Sequence, residues 1–151
     1  PSKPVDLVHQ MGVLKDFDCS KVQRDQAVEG TNDYSTIHPG MSYCGFCPNK
    51  QCRAFRHNVV VKRGAGNHLV NDDIVQGVLR CPACLSPFEL AYIALYQCKA
   101  TVTAHLHQEE KTEFKAEGNE IVKLGAKAGQ VVFENGLLTI DVKIPSQCSV
   151  S

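Results

Sequence analysis

Two groups of closely spaced cysteines are the residues of this 151-residue chain best suited to do chemistry. In the second group, Cys81 and Cys84 are separated by two residues, a spacing that lets both sulfurs and nearby backbone amides turn toward one ion. Zinc takes four ligands in a tetrahedron, and two short-spaced cysteine pairs from distant parts of a chain are the usual way to supply them. The sequence therefore predicts one zinc ion.

The first group offers three thiols for two ligand positions. Cys44 and Cys47 repeat the two-residue spacing, whereas Cys47 and Cys52 have four residues between them, at the upper end of the common range. His57 lies five residues beyond Cys52 and could complete a site of three cysteines and one histidine, although a surface histidine is the commoner explanation. The spacing alone leaves the composition of the first pair open.

Disulfide bonds are the alternative use for the eight cysteines of the chain. Disulfide frameworks are typical of small secreted domains that lack a hydrophobic core. This chain is long, 43% of its residues are hydrophobic, and most of its cysteines are grouped. Metal binding is therefore favoured over disulfides. Cys98 lies in an apolar strand-like segment, so we expect it to be a small buried residue rather than a metal ligand.

The expected zinc site is structural. A catalytic zinc keeps one position open and usually has histidine or carboxylate among three protein ligands, whereas four cysteines close the coordination shell. The chain has no His-x-Glu element ahead of a Pro-Cys-x-x-Cys pair, the arrangement of zinc deaminases, and it has no Gly-x-Ser-x-Gly or Walker sequence. The sequence therefore predicts that the protein is not an enzyme. The least favoured alternative is a cysteine-dependent enzyme whose nucleophile is Cys44.

A basic stretch surrounds the first cysteine group. The whole chain has sixteen residues of each charge, which predicts no general attraction to nucleic acid or to an anionic membrane, but residues 35–71 contain no Asp or Glu. The cations of this stretch are Lys50, Arg53, Arg56, Lys62 and Arg63. Because charged runs are most often solvated surface, a protein partner is expected first, and RNA bound by these cations is the alternative.

The elements that position the cysteines are predicted to be mainly β. Residues 58–62, NVVVK, are β-branched and predict a buried strand, and residues 88–106 fit two strands or one long bent strand. Residues 131–144 predict a hairpin, because Asn135 and Gly136 suit a type I′ turn and apolar residues alternate along the second strand.

The remaining segments are less regular. Residues 37–52 are rich in turn-forming residues without periodicity, so a loop held by zinc is expected there. Residues 69–80 predict a loop or a short helix, and residues 109–125 are the most plausible place for a further helix. The expected fold is a β-rich α+β class, one compact antiparallel domain around a zinc-ribbon-like or treble-clef-like site. Residues 1–36 would form an arm packed on the zinc-binding domain, residues 37–151.

The cellular setting predicted from the sequence is intracellular, either cytoplasmic or nuclear. No apolar run approaches the length that a membrane helix needs. The first ten residues also lack the basic start and apolar body of a signal peptide. No membrane association is therefore expected.

Three segments of the chain, PGMSYCGFCPNKQCRAF, RCPACLSPFEL and LYQCK, resemble a family of uncharacterised eukaryotic proteins found in protists, fungi and some invertebrates. These proteins share a glycine-led approach to a Cys-x-x-x-x-Cys-x-Ala-aromatic element, then CPxC, then a strand with one more cysteine. In this chain the shared elements fall on Gly40, Gly45, Cys47, Asn49, Cys52, Ala54, Phe55, Cys81, Pro82, Cys84 and Cys98. Weaker similarity in the flanks extends the resemblance over most of the chain.

The resemblance implies a choice between the two possible first pairs. It makes Cys47 and Cys52 the partners of Cys81 and Cys84, and it leaves Cys44 as a neighbouring thiol. Some relatives carry this domain downstream of ubiquitin, which implies a ubiquitin-linked setting for a zinc-dependent protein-binding module. The chain departs from its relatives in having Tyr-Gln before its last matched cysteine and in lacking tryptophan, and both differences leave the four ligands unchanged.

Overall fold

Seven antiparallel strands and one short α-helix make up the part of the chain that the computed structural model describes, residues 22–27, 32–105, 109–125 and 137–145. The strands are β1 (Val22–Gln26), β2 (Gly40–Phe46), β3 (Asn58–Gly64), β4 (Gly66–Leu69), β5 (Tyr92–His105), β6 (Glu109–Leu124) and β7 (Leu137–Lys143). The helix α1 spans Val70–Val75, and a 3₁₀ turn spans Asp33–Ser35. The predicted fold class, a single mainly β antiparallel domain, is confirmed.

A long bent hairpin of β5 and β6 organises the sheet. β6 pairs with one edge of β5 along most of its length, while the other edge pairs with β2 through residues 92–96 and with β7 through residues 99–105. The register shifts between Tyr96 and Cys98, where Gln97 has a φ of 45°. This irregularity divides the sheet into a first half, β1-β6-β5-β2-β3, and a second half, β6-β5-β7-β4.

The main core draws on both halves of the sheet. Tyr43, Ile93 and Leu124 from the first half and Ile140 from the second are completely or almost completely buried in one cluster. Along β7, buried Leu138, Ile140 and Val142 alternate with more accessible residues, as predicted for a strand with one buried face. The predicted strand at residues 58–62 is confirmed in β3. Within the 88–106 segment, residues 92–105 form one long strand, β5, with its irregularity at Gln97.

The loop prediction for residues 37–52 is wrong at its centre. Residues 40–46 form β2, which pairs with β3 on one side and with β5 on the other, and six of its seven residues are buried. A strand that is covered on both faces does not need alternating polarity, so its sequence carries no period-2 signal. Small residues such as Gly45 also fit there, because a Cβ would lie 2.5 Å from a carbon of Phe88.

The helix prediction for residues 109–125 is also wrong, because this segment is the strand β6. Its buried residues follow the strand period, with Phe114 and Ala116 in one part and Val122 and Leu124 in the other. Pairing with β5 supplies the contacts that make this segment a strand. The described α-helix instead lies in the 69–80 segment, at Val70–Val75.

The predicted hairpin at residues 131–144 is described in its second strand alone. Its first strand and its Asn135-Gly136 turn lie outside the described residues. Residues 139–142 of β7 pair with β4 on one side and with β5 on the other, so this part of β7 has no free edge.

The predicted N-terminal arm, residues 1–36, is described at residues 22–27 and 32–36. There β1 pairs with the end of β6, and Tyr34 is buried in the main core. The rest of the predicted arm lies outside the described residues. None of the described helices is long enough and apolar enough to cross a bilayer.

Gly40 lies at the corner where β2 begins against the end of β3. Its φ is 102°, and a Cβ at this position would lie 2.6 Å from the backbone of Gly64. Gly40→Ala is therefore expected to destabilise the protein by about 3 kcal/mol or more, because backbone strain adds to an overlap that neither backbone can relieve. Urea denaturation would measure the loss.

Gly118→Ala is the matched control for this prediction. Gly118 also has a positive φ, 61°, but nothing lies within 4 Å of a Cβ built there. Only the backbone strain applies, so a loss of about 1 to 2 kcal/mol is expected. Equal losses in the two variants would contradict the close approach of Gly40 to Gly64.

Candidate metal centre

Four cysteine sulfurs meet at one end of the first half of the sheet. The Sγ atoms of Cys47, Cys52, Cys81 and Cys84 all lie within 4.8 Å of one another. Cys47 Sγ is 3.6 Å from Cys84 Sγ, and Cys52 Sγ is 3.8 Å from Cys81 Sγ. A tetrahedral zinc with bonds of about 2.3 Å requires sulfurs about 3.8 Å apart. The cluster therefore has the dimensions of a four-thiolate site.

The first pair is positioned by the end of β2 and the turns that follow it. Cys47 comes directly after β2 and forms an isolated bridge with Phe55. Between the two cysteines, the Cys52 amide donates to the carbonyl of Asn49 at 3.0 Å, and the Gln51 amide donates to Asn49 Oδ1 at 2.9 Å. The Ala54 amide donates to Cys52 Sγ at 3.3 Å, which orients that sulfur. The wider spacing of this pair is thus accommodated by an Asn-centred turn.

The second pair is held in a tighter turn. The Cys81 amide donates to the Ser86 carbonyl at 2.8 Å, and the Leu85 amide donates to the Cys81 carbonyl at 2.7 Å. Leu85 completes the turn with a φ of 67°. The Arg80 guanidinium braces it from outside, since it donates to the carbonyls of Gly77 at 3.2 Å and of Leu85 at 3.1 Å.

Hydrogen-bond donors around the sulfurs favour thiolate at one position. The Ser86 hydroxyl and amide, with the Asn49 side chain, lower the pKa of Cys84 to about 6. Burial raises the pKa of Cys47 to about 12, although a hydrogen bond from the Asn49 backbone acts in the opposite direction and lowers it. Because metal ligands must be deprotonated and donors to a ligating atom orient it, Asn49 and Ser86 suit the surroundings of a metal ligand.

The arrangement can hold a metal ion with a closed shell. Cys47 and Cys81 are buried, and Cys52 and Cys84 are partly accessible. Four thiolates fill the positions of a tetrahedral zinc and leave none for a substrate or an activated water. Soft sulfur donors at this spacing suit zinc better than magnesium or calcium, which take oxygen ligands.

The other candidate ligands lie away from the cluster. Cys44 is fully buried in a separate cluster with Val60 and Ala94, and burial raises the pKa of its thiol to about 12. Cys98 is buried in the main core, where desolvation raises its pKa to about 11. His57 is exposed, with its ring centroid 6.2 Å from that of Tyr34. None of these three belongs to the group of four.

The five basic residues do not form one free cationic face. Arg53 contacts both carboxylate oxygens of Asp33 at 3.1 Å and lies over the Tyr34 ring. Arg63 pairs with Asp73 at 3.2 Å. The other three, Lys50, Arg56 and Lys62, are exposed, and the Arg56 guanidinium is 5.2 Å from the Phe55 ring centroid. Two of the five cations are thus already neutralised by carboxylates.

Sequence analysis gave no role to Arg80 or Ser86, which fix the second turn. Their signal was weak, since they are single polar residues on either side of the CPAC sequence. No protein-family model, no curated protein and no solved structure matches the chain. The resemblance to the eukaryotic family therefore stays a prediction.

Proposed function

We propose that this protein is a binding module organised by one structural zinc ion, held by Cys47, Cys52, Cys81 and Cys84, and that its partner is another protein. The observation that carries the proposal is the convergence of four sulfurs within 4.8 Å from two distant segments. The four-thiolate set suits a structural ion and gives no position for catalysis. A ubiquitin-linked setting rests on the sequence resemblance alone.

Zinc would join the two segments that contain the cysteine pairs. Residues 47–57 connect β2 to β3, and residues 76–91 connect α1 to β5. Structural zinc in small modules contributes about 10 to 16 kcal/mol of folding free energy. Domains typically have a net stability of about 5 to 15 kcal/mol, so the metal would decide whether these two connections are ordered.

Two exposed apolar side chains flank the cluster and favour a protein partner. Phe46 is 55% exposed and precedes Cys47, while Leu85 is 67% exposed and follows Cys84. The sulfurs of these two cysteines are 3.6 Å apart, so both side chains belong to the same end of the domain. Large apolar side chains presented by rigid turns are typical anchors of protein interfaces.

RNA binding through the basic segment has less support. Phosphate binding needs free cations, and Arg63 is held by the buried Asp73, while Arg53 is paired with Asp33 at the surface. Single-stranded RNA is usually bound on several aromatic rings next to those cations. Among the described residues, two rings contact these cations: Tyr34 lies under Arg53, which is paired with Asp33, and Phe55 lies under Arg56.

Zinc analysis and partner capture test the proposal together. The purified protein is expected to contain one zinc per chain by elemental analysis. A Phe46→Ser, Leu85→Ser double variant is expected to keep that zinc, because neither side chain is buried, and to lose the partner that the wild type retains from its source. Folded protein without stoichiometric zinc would contradict the metal assignment.

Val75→Ser is the matched control for the surface variant. Val75 is similarly exposed, at 49%, but it lies at the end of α1 and does not adjoin a cluster cysteine. Partner retention should therefore be unchanged. Mobility assays with RNA at two salt concentrations distinguish protein binding from RNA binding. RNA affinity that falls steeply with salt would support RNA binding instead.

A further inference from the structure

A cavity of about 540 Å³ lies on the face of the first half of the sheet that points away from the main core, here called the outer face. Val60, Ala94 and Ile121 line it from the sheet, and Ala27 and residues 35–37 line it from the segments beside the sheet. Small-molecule sites usually have volumes of roughly 300 to 1,000 Å³. The cavity has this size and shares no residue with the cysteine cluster.

The outer face is more apolar than the solvent side of an antiparallel sheet usually is. With one face on the core, the other is normally polar. Here Cys44, Val60 and Ala94 are buried in a cluster of their own, and Ile37 and Tyr92 pack against it. The cavity itself has a mixed lining, because the polar residues Ser35, Thr36, Asn58 and Asn119 line it together with Ile37, Tyr92, Tyr96 and Ile121. Such a lining suits a ligand that has both an apolar body and a polar group.

Among the described residues that line the cavity, Lys123 is the one with a charged side chain. Its ammonium lies 4.9 Å from the Tyr92 ring centroid and 2.9 Å from the Asp25 carboxylate. An ammonium has three donors, so a bond to Asp25 leaves capacity for a second anion. Lys123 and Asp25 are both partly accessible, at 23% and 38%, and an ion pair of this kind is weak enough to rearrange.

Two tyrosines complete the cavity. Asn58 Nδ2 donates to the Tyr92 hydroxyl at 2.8 Å, and Gln97 Nε2 donates to the Tyr96 hydroxyl at 3.3 Å. These bonds hold the rings in place, and burial raises the pKa of Tyr92, so its hydroxyl is neutral. The aromatic surfaces favour an apolar or aromatic ligand body, while the Lys123 ammonium, which also pairs with Asp25, is the cationic donor at the cavity.

We propose that this cavity binds a small organic acid. The aromatic or aliphatic body of the acid contacts the partly accessible Ile37, Tyr92 and Ile121, and its carboxylate pairs with the Lys123 ammonium. A cationic ligand would place like charge beside Lys123, and a neutral one would leave that ammonium without a new partner. The site is independent of the metal centre and of the partner surface around it.

Calorimetric titration of the full chain with naphthalene-2-carboxylate and with octanoate tests this assignment. Saturable binding of one molecule per chain is expected. Lys123→Met keeps an unbranched side chain of similar length and removes the charge, so the Kd of both acids should rise about tenfold or more. The Kd of the neutral analogue 2-naphthalenemethanol should not change with this variant.

Two further variants complete the design. Lys115 is a cation on the same strand that does not line the cavity; its side chain is 60% exposed and paired with Glu117. The Lys115→Met variant should therefore bind both acids like the wild type. Ile121→Trp places a larger side chain at the cavity and should abolish binding. The assignment is overturned if neither acid binds saturably, or if Lys115→Met weakens binding as much as Lys123→Met does. It is also overturned if Ile121→Trp binds the acids normally while its circular dichroism and zinc content are unchanged.

Discussion

Cys81→Ser and Cys84→Ser are each expected to lose stoichiometric zinc and to unfold the middle of the domain. Both residues belong to the group whose sulfurs lie within 4.8 Å of one another. Loss of one ligand removes much of a contribution of about 10 to 16 kcal/mol, which is comparable to the whole net stability of a typical domain. Elemental analysis and the loss of β-sheet signal in circular dichroism would measure the two effects.

Cysteine variants at the first pair distinguish its two possible compositions. Cys52→Ser should behave like Cys81→Ser, because the Cys52 sulfur is 3.8 Å from that of Cys81. Cys44→Ala should keep one zinc per chain and lose about 1 kcal/mol of stability, since it removes one buried sulfur from an apolar cluster. Zinc loss in Cys44→Ala with retention in Cys52→Ser would reverse the assignment.

Asp73→Ala is expected to cost about 3 to 5 kcal/mol of unfolding free energy, the second large effect. Asp73 is buried and accepts a hydrogen bond from the Tyr43 hydroxyl at 2.6 Å, while its other oxygen pairs with Arg63 at 3.2 Å. Burial, together with Asp73, raises the pKa of Tyr43, so the hydroxyl stays protonated as a donor. The variant leaves a buried hydroxyl and a half-buried guanidinium without their acceptor.

Asp72→Ala is the matched control, because Asp72 is the exposed neighbour of Asp73 in the first turn of α1. It loses at most the interaction of a carboxylate with the start of the helix, about 0.3 to 1 kcal/mol. Denaturation curves of the two variants, at constant zinc content, give the comparison. Similar midpoints for both would show that the buried network contributes little.

The network matters for the site because it attaches α1 to the sheet. A six-residue helix is far too short to be stable by itself in water. Asp73 ties it to Tyr43 in β2 and to Arg63 in β3, and Asn71 Oδ1 accepts the Leu138 amide of β7 at 3.0 Å. The chain that leaves α1 then reaches Cys81 within a few residues, so the position of the second cysteine pair depends on these contacts.

The sequence by itself determined the parts whose signal is local. The short spacing of Cys81 and Cys84 places two sulfurs together whatever the rest of the fold does. The β-branched run at residues 58–62 and the alternation of apolar and polar residues after Leu137 each predict a strand. Such signals need only a few consecutive residues, because neighbouring residues of a strand point to opposite faces.

The tertiary structure decided what depends on distant partners. Residues 40–46 are a strand because β3 and β5 cover both edges, and residues 109–124 are a strand because β5 pairs with them. The same pairing separates Cys44 from Cys47: Cys44 is fixed between Val60 and Tyr92 inside the sheet, whereas Cys47 lies just past its end and can turn toward the second pair. Both spacings, two residues for Cys44 with Cys47 and four for Cys47 with Cys52, are compatible with a zinc pair, so the spacing did not distinguish the two pairs and the neighbours of β2 do.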